Sequence, residues 1–124
     1  MMNLENIKKI ALVGATDNKE KFGYKIFKNL INKDFEVYPV NPLKKEIEGY
    51  KVYNSIEDLN EKPELIVFVV PPKVTLEYAK NFYSLGFRKF WFQPGTESED
   101  LKNFLNSEED IEYSLIDCIM VETN

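Results

Sequence analysis

The chain has 124 residues and a formal net charge of −5, with 44% hydrophobic and 30% charged residues. That length and balance predict one soluble domain over residues 1–124, and the acidic charge speaks against a duplex nucleic acid partner, which needs a broad basic face. Histidine is absent and Cys118 is the one cysteine, which excludes imidazole acid/base chemistry, phosphohistidine intermediates, internal disulfides and thiolate zinc clusters.

The opening MMNLENIKK has no apolar stretch before a cleavage site, and no later run approaches the roughly 18 apolar residues of a membrane span. A cytoplasmic protein without a membrane partner is expected. Ile7 to Val13 is a short apolar run that reads as a strand, and Tyr24 to Ile31 sets Ile26, Phe27, Leu30 and Ile31 on one helical stripe. Phe35 to Val40 (FEVYPV) is a second strand with Pro39 near its end. Lys51 to Tyr53 predicts a brief edge strand. Ser55 then opens a helical turn, with Glu57 and Asp58 where the helix dipole favours them.

Leu65 to Val70 (LIVFVV) is apolar without alternation, the pattern of a parallel strand covered on both faces. Pro72 suits the first turn of a helix running to Leu85, with Val74, Tyr78, Ala79 and Phe82 inward and Gly86 as its cap. Lys89 to Gln93 (KFWFQ) is a strand, Glu97 to Leu105 a helix with acidic residues at its start, and Ile111 to Leu115 a last strand. Phe87, Phe90 and Trp91 are expected in the core. Strand and helix alternate throughout, which predicts an α/β fold: a mainly parallel sheet with helices on both faces and right-handed crossovers.

Ligands of such sheets bind beyond the carboxyl ends of the strands, where strand order reverses. The strand-to-helix turns are GATDNKEKFGY from Gly14, NPLKK from Asn41, PPK from Pro71, QPGT from Gln93 and DCIM from Asp117. Gly14 after a buried strand lets backbone amides approach a phosphate, and Thr16 adds a hydroxyl; the plain alternative is a tight turn with no ligand. A dinucleotide site wants G-x-G-x-x-G and an acidic residue closing the second strand. Here the turn reads G-A-T-D-N-K with the next glycine at Gly23, and Val40, Asn41 and Pro42 stand where the acid belongs. NAD(P) is thus disfavoured, and no Walker G-K-[ST] exists.

Lys19 with Lys21, Lys44 with Lys45, and Lys73 lie beside these turns. Any one alone is a solvated charge; gathered at one sheet edge in an acidic chain they point to an anion. Val70, Pro71 and Pro72 make a rigid apolar lip that suits an adenine ring. Cys118 reads either as a small buried hydrophobe or as a thiol facing the thiol of a bound carrier.

The motifs from Ile7 to Glu122, namely VGAT, VYPVNP, GYKVYNSIEDL, VPP, FWFQPGTES and CIMVE in that order, resemble the small single-domain CoA-binding proteins. Their domain is similar to the CoA-binding domain of the succinyl-CoA synthetase alpha subunit. The resemblance implies a Rossmann-like three-layer sandwich with a mainly parallel sheet of five or six strands, holding coenzyme A. It places Gly14, Ala15 and Thr16 at the pyrophosphate, with Lys19, Lys21 and Tyr24 at the phosphate end. Val40, Asn41 and Pro42, with Lys44 or Lys45, would meet the ribose and its 3′-phosphate. Pro71, Pro72 and Val74 would flank the adenine on the lip that includes Val70, while Gln93, Pro94, Gly95 and Cys118 would follow the pantetheine arm.

Two departures stand out. The family often has Asp-Arg before the cysteine, where this chain has Ile116 and Asp117, and the synthetase's catalytic histidine lies in a following domain, whereas these 124 residues hold no histidine. The expected function is therefore non-catalytic or regulatory binding of CoA or acyl-CoA. The alternatives are an enzyme component working in trans with an acyl-CoA ligase partner, or an NAD(P)-binding regulator. Asp17, Glu46 and Asp117 are the candidate acids and bases, without a readable arrangement. A homo-oligomer or another protein partner stays open.

Overall fold

The computed structural model describes residues 2–124; Met1, the first residue of the opening segment, lies outside them. Five segments, β1 (Lys9–Val13), β2 (Glu36–Val40), β5 (Leu65–Phe68), β6 (Lys89–Phe92) and β7 (Glu112–Ser114), build one sheet in the order β2-β1-β5-β6-β7. Every neighbouring pair in it is parallel. The central strands lack polar alternation because both of their faces are covered. Ile10, Leu12, Leu65, Val67 and Trp91 look towards one layer, built on α1 (Phe22–Asn32) and α4 (Ile119–Glu122). Ala11, Val13, Ile66, Phe68, Phe90 and Phe92 look towards the other, built on α2 (Pro72–Ser84) and α3 (Glu99–Ser107). This is the Rossmann-like α/β sandwich expected, with five strands.

The second layer is largely aromatic. Phe68 stacks on Phe92 with centroids 4.7 Å apart and on Phe82 at 5.8 Å, and meets Phe90 edge-on at 5.6 Å. Offset and edge contacts of this kind add to the area that the rings bury. Phe90 and Trp91 are fully buried on opposite faces of the sheet and Phe87 packs against the Phe90 layer, so all three belong to the core as expected.

Local punctuation follows the chemistry of caps. Ser98 accepts the Leu101 amide at 3.1 Å to open α3, and Ser55 accepts that of Glu57 at 3.2 Å to open a single 3₁₀ turn, Ile56–Asp58. Pro72 occupies the first turn of α2. At the other end Gly86 takes φ +102°, and the amides of Gly86 and Phe87 return to the carbonyls of Tyr83 and Phe82, each at 3.0 Å. That is a Schellman closure, which a side chain at the left-handed position would strain.

Two expectations need correction. On α2 the inward stripe is Thr75, Ala79 and Phe82, with Tyr78 stacked on Phe82, while Val74 is exposed. A polar residue holds the innermost register because the Thr75 hydroxyl donates to the Val70 and Pro71 carbonyls at 2.9 and 3.0 Å. The brief strand at Lys51 to Tyr53 is instead half of a hairpin, β3 (Glu46–Ile47) with β4 (Tyr50–Lys51), turned by Glu48 and Gly49 at φ 47° and 88°. Tyr53, beyond it, bridges to β2: its amide donates to the Pro39 carbonyl and its carbonyl accepts from Asn41, both at 2.9 Å. Pro39, itself buried, therefore turns its backbone edge away from β1, and the N–H it lacks would have lain on that outer edge.

No helix among the described residues is long and apolar enough to cross a membrane, and no group of three or more His, Cys, Asp or Glu among them is placed to hold a metal.

The start of the sheet is fastened by Glu64, whose Oε1 accepts the Lys8 and Lys9 amides at 2.8 and 2.9 Å. Those amide donors hold its carboxyl below the usual carboxylate range. A lowered folded-state pKa stabilises above the unfolded value and is lost as pH falls through the folded one. Glu64→Gln is thus expected to lower the Tm at pH 7, with the deficit shrinking in acid; thermal melts from pH 7 to pH 3 check this, and a pH-independent deficit contradicts it.

Candidate functional site

Strand order reverses between β1 and β5, so the chain leaves the two strand ends towards opposite faces and a crevice opens there. Its floor is a close approach of backbone. Gly14 sits at φ +105°, its amide donating to the Val40 carbonyl at 3.0 Å, while the Val69 amide donates to the Val13 carbonyl at 2.9 Å. A Cβ on Gly14 would lie 2.6 Å from the Val69 carbonyl oxygen, and one on Gly23 would lie 2.2 Å from that of Gly14. These two glycines let α1 begin directly against the β1 turn. They serve the close-packing purpose of the dinucleotide glycines at a different spacing.

The first turn of α1 has neither a side-chain cap nor an acidic residue. Ahead of it the chain orders itself: Thr16 Oγ1 accepts the Asn18 amide at 3.2 Å, and Asn18 Oδ1 accepts that of Glu20 at 3.1 Å. Across the crevice, Asn41 Nδ2 donates to the Ala15 carbonyl at 2.8 Å and Oδ1 accepts the Leu43 amide at 2.8 Å. Asn54 Nδ2 then donates to the Asn41 and Lys44 carbonyls at 3.1 and 3.2 Å. The β1 and β2 turns are strapped together by amide side chains.

The resulting cleft has a volume of about 720 Å³, within the usual range for ligand sites. Of the residues expected from the sequence, Gly14, Thr16, Lys21, Asn41 and Lys44 line one part of it, and Val70, Pro71, Pro94 and Gly95 another. Ala15 and Val40 lie beneath it in the core. Lys19, Pro42, Lys45, Pro72 and Val74 are exposed outside its lining. Tyr24 points its hydroxyl at Glu48 of the hairpin, which also accepts Lys28 Nζ at 2.7 Å. That hydrogen bond raises the Tyr24 pKa, while the Lys28 and Tyr24 donors lower that of Glu48.

Gln93 and Cys118 line a smaller apolar annexe of about 170 Å³, whose other walls are Phe22, Val69 and Pro94. These last three residues also line the cleft, so the two spaces share a wall. Gln93 is buried and works with both ends of its amide. Oε1 accepts the Ile119 amide at 2.7 Å and Nε2 donates to Cys118 Sγ at 3.4 Å. Trp91 Nε1 donates to the Asp117 carbonyl at 2.9 Å, which fixes the same segment from below.

Sequence reasoning passed over Phe22, Gly23 and Val69. Gly23 was visible only as a misplaced glycine, and Val69 as the end of an apolar strand. Phe22, 60% exposed, had the one available signal: a large apolar side chain at the start of a helix, beside a glycine.

Charge in the cleft is balanced. Lys21 and Lys44 face Asp17 and Glu20, and Lys44 Nζ lies 3.1 Å from Asp17 Oδ1. With both side chains well exposed, such a pair contributes little, on the order of 0–1 kcal/mol. An incoming anion could exchange for Asp17 at small cost.

Strand order and crevice define a Rossmann-like doubly wound α/β protein. The chain belongs to the CoA-binding domain family, whose model matches residues 8–124. It is 42% identical over 78 residues to an ADP-forming acetate-CoA ligase of Methanocaldococcus jannaschii, covering 60% of this chain and 11% of the ligase. It is 39% identical over 71 residues to the alpha subunit of ADP-forming acetate-CoA ligase II of Pyrococcus furiosus, covering 55% of this chain and 15% of the subunit. The chain thus spans a small part of the ligase relatives it matches. A solved structure of a conserved hypothetical protein of Pyrococcus furiosus superposes with a TM-score of 0.88 at 54% identity, covering 94% of this chain and 99% of that one.

Gly23→Ala is expected to drive α1 off the β1 turn and destabilise the protein by about 1–3 kcal/mol, the usual range for overpacking. Chemical denaturation measures it. A wild-type midpoint would show that the backbone contact yields freely.

Proposed function

We propose that this chain binds coenzyme A or an acyl-CoA in the switch-point cleft, as a non-catalytic or regulatory module acting through a single domain. One observation carries the reading. The uncapped start of α1 is pressed against the Gly14 turn, where no Cβ fits, and Lys21 and Lys44 stand on the lining. Backbone donors and helix dipole together suit a pyrophosphate. The two tight glycine contacts leave backbone, not side chain, on the wall, which suits a diphosphate.

Under this reading Gly14 and Thr16 border the pyrophosphate at the start of α1, Ala15 supports that turn from beneath, and Lys21 adds charge. Lys44, released from Asp17, meets a further phosphate, while Val70 and Pro71 offer an apolar surface to the adenine. Pro94, Gly95, Gln93 and Cys118 follow the arm towards the thiol. Asn41 stands where a dinucleotide site carries its ribose-binding acid. Its amide already bonds the β1 turn and the Leu43 amide, which favours CoA over NAD(P).

A second reading has a specific support. The ligases that this chain resembles are far longer than the matched part, so the chain could supply a CoA site in trans to a separate ligase component. Acyl-CoA turnover that appears only when such a component is added to the purified chain would favour it.

Isothermal titration calorimetry is expected to give saturable heat with CoA and none with NAD. The double variant Lys21→Ala/Lys44→Ala should weaken binding by about tenfold, in line with the loss of hydrogen bonds to a charged group. Asp17→Asn should tighten it, and added salt should weaken it. Absence of heat with CoA alongside tight binding of another nucleotide defeats the proposal.

A further inference from the structure

The annexe is larger and less polar than a free thiol requires. At about 170 Å³ it holds on the order of five water volumes, taking roughly 30 Å³ for each. Its walls are the Phe22 ring, Val69, Pro94, the Gln93 amide and the Cys118 thiol. No charged residue is among them. Lys21 and Lys44 line the cleft but not the annexe. The one polar side chain, Gln93, is only 4% exposed. Its oxygen is occupied by the Ile119 amide, and Nε2, which carries two hydrogens, uses one on Cys118 Sγ. The other N–H can meet a carbonyl in a space that offers an anion nothing.

We infer that the annexe receives a short, uncharged acyl group, so that the preferred ligand is a short-chain acyl thioester of CoA. The inference rests on the CoA reading of the cleft. A sulfur atom fills only part of the space, leaving room for an acyl group of about two to four carbons. Each methylene buried against Phe22, Val69 and Pro94 adds about fourfold in affinity. A carboxylate at the far end of the acyl chain would be desolvated without a cation or paired donors, which is costly. A chain of eight carbons exceeds the volume, so its end would either crowd these walls or be left in water past the exposed Phe22.

Calorimetry on the intact protein with CoA, acetyl-CoA, butyryl-CoA, succinyl-CoA and octanoyl-CoA tests it. Butyryl- and succinyl-CoA are closely matched in length and differ in charge. Butyryl-CoA is expected to bind at least tenfold tighter than CoA, with succinyl- and octanoyl-CoA each at least tenfold weaker than butyryl-CoA. Val69→Ala should narrow the octanoyl deficit by widening the annexe. Phe22→Ala, at a side chain already exposed to solvent, gives the same readout without threatening the core. If CoA binds and succinyl- or octanoyl-CoA matches butyryl-CoA, the inference fails and the CoA reading survives. If no CoA species binds, both fall together.

Discussion

Everything at the candidate site depends on three stretches of main chain lying closer than side chains permit. The Gly14 turn presses on the Val69 carbonyl, and the first turn of α1 presses on Gly14 through Gly23. Parallel strands leave the sheet here in opposite directions, and the crevice between them would fill with side chains if either glycine had one. Removing two Cβ atoms gives the cleft a backbone wall and brings the positive end of α1 against it. The amide straps from Asn41 and Asn54 then hold the opposite wall in register. The cleft is thus built by packing constraints, with charge added afterwards.

That order explains how an acidic chain can present an anion site. The net charge of −5 repels anions at long range, but salt screens it within about 8–10 Å. What counts is the local set. Lys44 is held over the crevice by Asp17, a partner cheap to exchange. The annexe carries no such charge, and the two spaces differ in chemistry while sharing the Phe22, Val69 and Pro94 wall. One ligand with an anionic end and an apolar end would satisfy both.

Most of the fold was legible because its strands are buried on both faces and its helices are punctuated by strong local chemistry. LIVFVV and KFWFQ leave little room for another reading, and Pro72, Gly86, Ser55 and Ser98 each mark a boundary through a hydrogen bond or a backbone angle. The β3–β4 hairpin was hidden because two-residue strands are too short for any periodicity; Gly49 was its only trace. Val74 was misplaced by one register because an inward threonine, satisfied by local carbonyls, interrupts the apolar stripe. At the site, residues whose backbone forms the turn could be read from position. Lys19, Lys45 and Tyr24 could not be placed, since long side chains on exposed turns and helix starts are directed by partners such as Glu48 that lie far away in sequence.

One edge of the sheet has a consequence of its own. β2 is the outermost strand, and a bare parallel edge is a template on which another molecule's strand can grow. Here Pro39 withholds a donor and Tyr53 occupies the adjoining acceptor and donor. The tyrosine just beyond the hairpin therefore acts as a cork at the carboxyl end of this edge, where a neighbouring strand would otherwise find free backbone groups.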